Sequence, residues 1–318
     1  MADGKWISDL QPATPLADAA RHVLTVRLGV VNDYLPLALH EPEKDPEYVH
    51  QLRVGTRRAA AALDIFALCL PDKVYRAARK RLRQIRRAAG EARDWDVFLL
   101  ALKDAAKKSR RPSPGVDFLI GFAFAHRTAA QAHLQEANAR FPFRFDRLLA
   151  ETVAAVHRPK AEPGLRTLSD LARPLLARRL GELDEAARRD LDDYANLHQV
   201  RIAGKRLRYA MEVFADCFAP PFREQIYPAV EEMQDILGSA NDSHVASQRL
   251  ELLRQRARAM LPGQWRRYRS AVERLLRLHQ KRLPEERERF RQWWQRWQES
   301  GGKAALAGLL AAPESAAS

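Results

Sequence analysis

The sequence repeats itself. A displacement of 148 residues places His50-Gln51-x-Arg53 on His198-Gln199-x-Arg201 and, without a gap, Arg57-Arg58 on Lys205-Arg206, Phe66 on Phe214 and Cys69 on Cys217. In the same register Gly90, Ala92, Asp94 and Val97 fall on Gly238, Ala240, Asp242 and Val245. Upstream, a displacement of 152 pairs Asp18, Ala20, Arg21, Leu24, Arg27, Leu28 and Gly29 with Asp170, Ala172, Arg173, Leu176, Arg179, Leu180 and Gly181. Downstream, Arg140-x-Pro142 resembles Arg282-x-Pro284. Shared helix composition alone does not align His, Phe, Cys and Gly over a gapless run, so the chain reads as an internal duplication. Two copies of one unit pack about a pseudo-twofold axis, which turns equivalent faces toward each other as isologous interfaces do between subunits.

The repeated unit is helical. Apolar residues recur at three- and four-residue spacing, with Ala, Leu, Arg and Glu between them, and strand signals are nearly absent. The predicted helices span about 15–40, 46–70, 72–89, 94–110, 116–139 and 143–157, then 166–181, 184–218, 221–237, 242–260, 264–283 and 285–299. This gives an all-α fold: an N-terminal extension (1–14), a first helical half (15–157), a linker (158–165), a second half (166–299) and a disordered Gly/Ala/Ser-rich tail (300–318). Breaks are expected at Arg111–Gly115 and Arg158–Gly164. Gly90-x-x-Arg93-Asp94 and Gly238-x-x-Asn241-Asp242 read as helix ends, with Gly in a left-handed cap and Asp or Asn opening the next helix. Trp293, Trp294 and Trp297 read as helix packing rather than a base-stacking platform.

Two cysteines, Cys69 and Cys217, lie in apolar runs far apart and suit a reducing compartment better than a disulfide framework. Met1 to Thr14 is polar and carries no leader signature, and the most apolar stretch, Phe118 to Ala125, is too short for a bilayer. The reading is a soluble cytoplasmic protein with no membrane partner.

Charge then points to chemistry. Lys and Arg number 54 against 40 Asp and Glu, a formal charge of +14, which favours contact with polyanions. The excess is patterned. At about 100° per residue, Val200, Ala203, Leu207, Ala210, Met211 and Phe214 form one helix face, and His198, Arg201, Lys205, Arg208, Tyr209 and Glu212 the other. In the first copy Leu52, Gly55, Ala59, Ala62, Leu63 and Phe66 point inward, opposite His50, Arg53, Arg57 and Asp64. Each helix thus displays cations one turn apart, about 5.4 Å, a spacing suited to a polymer of repeating anionic oxygens. Arg supplies a planar fork for phosphate, Lys a point charge, and His a donor that gains charge beside an anion. An acid further along, Asp64 or Glu212, orients an Arg or ends the row. From Lys73 to Arg93 there are nine Lys/Arg and a single acid, Glu91, with Arg79, Arg83 and Arg86 sharing the side opposite Leu82, Ile85 and Ala89. The counterpart, 221–237, is acidic, with Glu224, Glu231, Glu232 and Asp235, so the surface is lopsided.

The two signatures, Val49-His50-Gln51-Leu52-Arg53-Val54-x-x-Arg57-Arg58 with Arg93-Asp94-x-Asp96-Val97, and Leu197-His198-Gln199-Val200-Arg201-Ile202-x-x-Lys205-Arg206-Leu207-Arg208-Tyr209, resemble the CHAD family, the conserved-histidine α-helical domain. The resemblance covers about residues 15–299. It implies two helical bundles about a pseudo-twofold axis enclosing a basic cavity, binding of inorganic polyphosphate, and in some members association with polyphosphate granules. Carried onto this chain, the implied ligands are His50, Arg53, Arg57 and Arg58, then His198, Arg201, Lys205, Arg206, Arg208 and Tyr209. One departure stands out: Ala59-Ala60-Ala61 occupies the place of Leu207-Arg208-Tyr209, so the first basic row is shorter. Some relatives add a triphosphate-tunnel metalloenzyme β-barrel; nothing here alternates like one, so its activity is not transferred.

The expected function is therefore non-catalytic polyphosphate binding with no cofactor. A nucleic-acid-binding protein is the alternative, disfavoured because the chain lacks a zinc-finger, RNA-recognition or helix-turn-helix signature. A metal-dependent phosphohydrolase ranks lower. It would combine His50, His198, Asp94 and Asp242, no two of which have the close spacing of helix-borne ligands, and no nucleophile-and-base pair or Gly-rich phosphate loop is present.

Overall fold

A computed structural model describes residues 4–108, 113–140, 142–159 and 164–311. Among them no strand forms, and no helix is long and apolar enough to cross a membrane. Ten α-helices follow in order. The first five are α1 Leu16–His40, α2 Glu47–Ile65, α3 Asp72–Lys108, α4 Pro114–Arg140 and α5 Phe145–Ala154. The rest are α6 Leu168–Ala187, α7 Tyr194–Phe214, α8 Tyr227–Met260, α9 Pro262–Glu299 and α10 Gly302–Ala311. Short 3₁₀ turns at Ala67–Cys69 and Ala215–Cys217 follow α2 and α7, and a π turn, Phe222–Ile226, precedes α8. The order helix, helix, 3₁₀ turn, long helix therefore occurs twice.

Each motif helix buries the face its pattern assigns. Leu52, Ala59, Ala62, Leu63 and Phe66 are in the core on α2; Val200, Ala203, Leu207, Ala210, Met211 and Phe214 are in it on α7. One hydrophobic cluster runs through both halves, in which α1 packs on α2, α6 on α7, α2 on α7 and α4 on α9. The starts of α1 and α6 join across the molecule: Leu16 N–H donates to Arg166 O and Leu168 N–H to Thr14 O, both at 2.9 Å. A shift of 152 exchanges these two bonds, the reciprocity that a twofold relation requires. Thr167 and Asp170 form a capping box on α6, and Asp193 caps α7.

Several expected boundaries differ. Gly90 and Gly238 do not end helices: α3 and α8 run through them, and among the described residues the glycines with positive φ are Gly4 and Gly301. The apolar stripes on either side of each Gly are in phase, and their packing outweighs the cost of about 1 kcal/mol for a helical Gly. Likewise α9 passes through Pro284, because the stripe of Phe290, Trp293, Trp294 and Trp297 beyond it is buried. The Trp cluster is packing, as expected, with Trp293 and Trp297 rings stacked 5.4 Å apart. Conversely, the predicted helix 184–218 is broken between Ala187 and Tyr194, where Asp193 opens a new helix.

The tail expected to be disordered forms α10 over Gly302–Ala311: Leu306 and Leu310 are buried, Lys303 pairs with Asp184 at 2.6 Å, and Arg173 donates to Leu309 O at 2.7 Å. Small residues hid that short apolar periodicity. Residues 312–318 lie outside the described set, as do 109–112 of the first expected break and 160–163 of the linker. Gly115, at the edge of the first break, already belongs to α4. The N-terminal extension packs against the fold through Ile7, Leu10 and Trp6, whose ring lies 4.6 Å from that of Tyr227. Cys69 is a buried free thiol whose pKa burial raises to about 11; Cys217 is also buried.

A charged hub ties these elements together. Glu212 of α7 is 1% exposed: it stands on the polar row with Arg208, as periodicity places it, but neighbouring helices cover that end of the row. It accepts from Arg58 Nε at 2.7 Å and Nη2 at 3.1 Å and from the Tyr227 hydroxyl at 2.9 Å, with Arg27 at 3.5 Å. Arg27 also donates to the carbonyls of Gly4 and Lys5, which pins the N-terminal segment. Four helices and the N-terminus meet on one carboxylate. Glu212→Ala is expected to cost about 3–5 kcal/mol in urea unfolding, because it strands two buried guanidiniums; a loss under about 1 kcal/mol would show the hub to be dispensable.

Candidate anion-binding site

The polar edges of α2 and α7 meet on one side of the core. His50, Arg53 and Arg57 project from α2, and His198, Arg201, Lys205 and Arg208 from α7, all partly buried. The two rows act on one another. Arg57 repels Lys205, Arg201, Arg86 and His50, and Arg53 repels both Lys205 and His50. α3 adds a third wall, from which Arg86 is affected by Arg79 and Arg83. Cations from three helices thus share one field.

The consequences appear in proton affinities. Lys205 is pushed down to about 6, first by burial and then by Arg57, Arg201, Arg208 and Arg53. His198 is lowered by burial, then by Arg201, Lys205 and His244. His50 is lowered by burial and Arg93, with Glu47 at 3.8 Å opposing. Arg53, Arg86 and Arg201 are lowered chiefly by burial as well, although a guanidinium stays protonated in any protein setting. Hydrogen-bonding capacity is left over too: Nε of Arg57, Nε of Arg201 and Nδ1 of His198 are buried without a partner. Unpaired buried donors and concentrated like charge both destabilise a protein on its own, and an anion relieves both.

Carboxylates sit at the margin and orient the cations. Asp94 of α3 lies 3.5 Å from Arg53 and 3.8 Å from Arg249 of α8, which also donates to the Asp94 carbonyl. Asp242 of α8 acts on Arg201 as Asp94 does on Arg53. Between them lies a cavity of about 80 Å³ lined by Asp94, Val97, Asn241, Asp242, Arg249 and His279, among others. These aspartates were expected to serve as helix caps; inside continuous helices they serve as Arg partners instead. Among the described residues no three His, Cys, Asp or Glu side chains are grouped as metal ligands.

Gly90 now has a different explanation. A Cβ there would lie 2.8 Å from Arg53 Nη1, so the missing side chain is where the Arg53 guanidinium rests.

The expected site residues separate into two groups. His50, Arg53, Arg57, Arg83, Arg86, His198, Arg201 and Lys205 belong to the shared field or its α3 wall. Arg79 reaches it while anchored to Asp64 at 2.9 Å, and Arg208 while held between Glu212 at 3.8 Å and Glu231 at 3.6 Å. Two do not line it as predicted. Arg58 is consumed by the Glu212 hub, because position 58 is turned toward α7's buried side. Arg206 is exposed and directed to Glu182 of α6, 3.9 Å away. Tyr209, although buried, acts on Arg86 and Arg201 of the field and so stays with the site, with the Arg208 guanidinium carbon 5.5 Å from its ring centre. Two residues were missed: Arg93, which repels His50, and Arg249, which holds Asp94. Arg93 stood inside a quoted motif and was hidden only by reading that motif as a cap.

A family model described as CHAD domain matches residues 23–251. Solved structures resemble the fold. One is a crystal structure of the CHAD domain from the plant Ricinus communis, with TM-score 0.68, 24% identity, and coverage of 98% of this chain and 96% of that one. Another is PptA from Streptomyces chartreusis, with TM-score 0.69, 19% identity, and coverage of 89% and 100%. No curated protein sequence matches.

The Gly90 contact separates fold from site. Gly90→Ala is expected to raise stability by up to about 1 kcal/mol through helix propensity, while displacing the Arg53 guanidinium and weakening any anion binding that depends on it. Thermal unfolding and polymer binding on the same sample check both signs; unchanged binding would remove Gly90 from the site.

Proposed function

The chain belongs to the CHAD-domain family, and from that premise we propose that it is a non-catalytic binder of inorganic polyphosphate, seated between α2 and α7 against the basic wall of α3. The family is associated with polyphosphate, and the observation that carries the reading is the unpaired charge around Lys205. Cations that cooperate in folding are paired with carboxylates, as Arg58 is with Glu212. Among the described residues Lys205, Arg57 and Arg201 of the cradle form no ion pair and repel one another, an arrangement that anionic oxygens between them relieve. A linear phosphate polymer offers a charge at every unit and contacts both rows at once, with Arg57 and Arg201 able to bind through their free Nε donors.

The cradle holds anion ligands rather than catalytic pairs. Asp94, at its margin, is already engaged by Arg53 and Arg249. The aromatic rings beside it do not favour single-stranded nucleic acid: Tyr194 is stacked on His244 at 3.5 Å and Tyr209 is buried. The pseudo-twofold duplication, a cytoplasmic setting and granule association belong to the same proposal.

Long-chain polyphosphate is expected to bind with steep salt dependence through counterion release. Replacing Arg53, Arg57, Arg201 and Lys205 together by Gln should flatten that slope by about 3, at roughly 0.7 per charge removed. The same variant should unfold at a higher temperature than the natural chain, since its members repel one another. Equal affinity of the variant for long-chain polyphosphate, or displacement of the polymer by DNA or RNA at matched phosphate concentration, would overturn the reading. Phosphate release on adding magnesium or manganese would overturn the non-catalytic part.

Protons provide a second test. The folded Lys205 amine, near 6, lies far below its ordinary 10.5, so it is largely neutral in the free protein at neutral pH. A bound polyanion restores the charged form, and binding therefore takes up a proton. Affinity for long-chain polyphosphate should strengthen as pH falls from about 9 toward 6 and gain little from Lys205 below that. Calorimetry in buffers of different ionisation enthalpy measures the uptake. Lys205→Met should abolish the slope above pH 7; a slope that survives assigns the proton elsewhere.

A further inference from the structure

Lys205 is an unusual amine as well as an anion ligand. It sits on α7 between Arg201 and Arg208, one turn to either side, while Arg53 and Arg57 face it from α2. The four strongest charges acting on it are these guanidiniums, and among the described residues it forms no ion pair with an acid. It is partly rather than fully buried. A nucleophile surrounded by phosphate-binding forks is suited to one class of electrophile, in which the group to be transferred is activated by a phosphate.

We propose that Lys205 is an acylation site for acyl phosphates, with the surrounding guanidiniums holding the phosphate that leaves. The inference rests on reading the cradle as a phosphate site. An amine attacks only when unprotonated, and burial beside other cations is a recognised way to free a lysine lone pair near neutral pH. The step balances without a further reactant. The Lys205 nitrogen lone pair adds to the carbonyl carbon of the acyl phosphate, and the carbonyl π pair moves onto oxygen. That pair returns as the bond from carbon to the phosphate oxygen breaks. Phosphate departs with the bonding electrons and takes the proton from nitrogen, leaving a neutral amide and hydrogen phosphate. Arg57 and Arg201, whose Nε donors are otherwise unmatched, supply the charge that the leaving phosphate needs.

Acylation then regulates the site. It removes the group that gains a proton when a polyanion arrives and places a neutral, longer side chain between the two basic rows. High acyl-phosphate levels would thus lower capacity for the polymer.

The test uses the natural chain and acetyl phosphate, with acetylation of each lysine followed by mass spectrometry. The exposed Lys44, paired with Glu41 at 2.9 Å, is the internal reference. An ordinary lysine has only about a thousandth of its amines unprotonated at pH 7.5. Lower basicity returns much of that advantage, as it does for nucleophilic thiols, so Lys205 should react roughly tenfold faster than Lys44. Its rate should stay nearly flat from pH 7 to 9 while that of Lys44 climbs, and excess orthophosphate should slow Lys205 alone. Lys205→Gln, mimicking the amide, should bind polyphosphate more weakly. A Lys205 rate no greater than that of Lys44, or one that climbs with pH in the same way, overturns the proposal. If polyphosphate binds normally while Lys205 is unselective, acylation fails alone. If Lys205 is selective and phosphate-protected while the polymer does not bind, polyphosphate recognition fails alone.

Discussion

Everything distinctive about this molecule follows from how one buried carboxylate is shared. Glu212 neutralises Arg58 and Arg27 and leans on Arg208, and the Tyr227 hydroxyl completes its shell. That concentrates counter-charge at the C-terminal end of α7's polar row. About two turns earlier on the same row, Lys205 has no matching acid, and Arg201 beyond it has only the attraction of Asp242. A helix with paired cations at one end of its polar row and unpaired ones at the other can be both a structural strut and a ligand. The repulsion in the cradle is tolerable because the apolar faces of α2 and α7 are buried with little exposure, each side chain gaining about 1.5–3 kcal/mol.

Much of the arrangement was legible in the sequence, and the reasons differ by element. The inward faces of α2 and α7 were read correctly because periodicity reports burial directly: Leu52, Leu63, Leu207 and Phe214 lie where a period near 3.6 puts them. The two His-bearing helices, α2 and α7, pack against each other as the repeated motif led one to expect. Periodicity failed at the edges of the polar arc. Arg58 and Arg206 stand about 100° around from Arg57 and Lys205, so their partners depend on neighbouring helices. Those partners, Glu212 for one and Glu182 for the other, are not related by the repeat.

Glycine and aspartate misled for a related reason. Local rules make Gly a terminator and Asp a cap, and both rules describe an isolated segment. In α3, tertiary contacts decide: Gly90 is vacant space for Arg53, and Asp94 reaches back to the same guanidinium at 3.5 Å. One turn of helix thus supplies both room and orientation for a single ligand. The equivalents in α8 are used differently, because a Cβ at Gly238 meets nothing within 4 Å. The asymmetry could not be inferred from residues that are identical in the two copies.

The lopsided charge of α3 and α8 is also explained by contacts. Where α3 presents Arg83 and Gln84 to solvent, α8 carries Glu231 and Glu232, and neither acid is idle. Glu231 pairs with Lys5 at 2.8 Å and Arg208 at 3.6 Å, joining the N-terminal segment to the end of the cradle. Glu232 accepts from Trp293 Nε1 at 3.2 Å and so anchors α9. Acids that close one end of the basic row cannot be exchanged for cations without loosening the N-terminus or α9. The opposite end, along α3, has no such duty and stays cationic. Under the proposed function, a long polyanion lying in the cradle is repelled at the α8 end and drawn outward along α3, so the Arg-rich helix sets the direction in which excess polymer leaves the site.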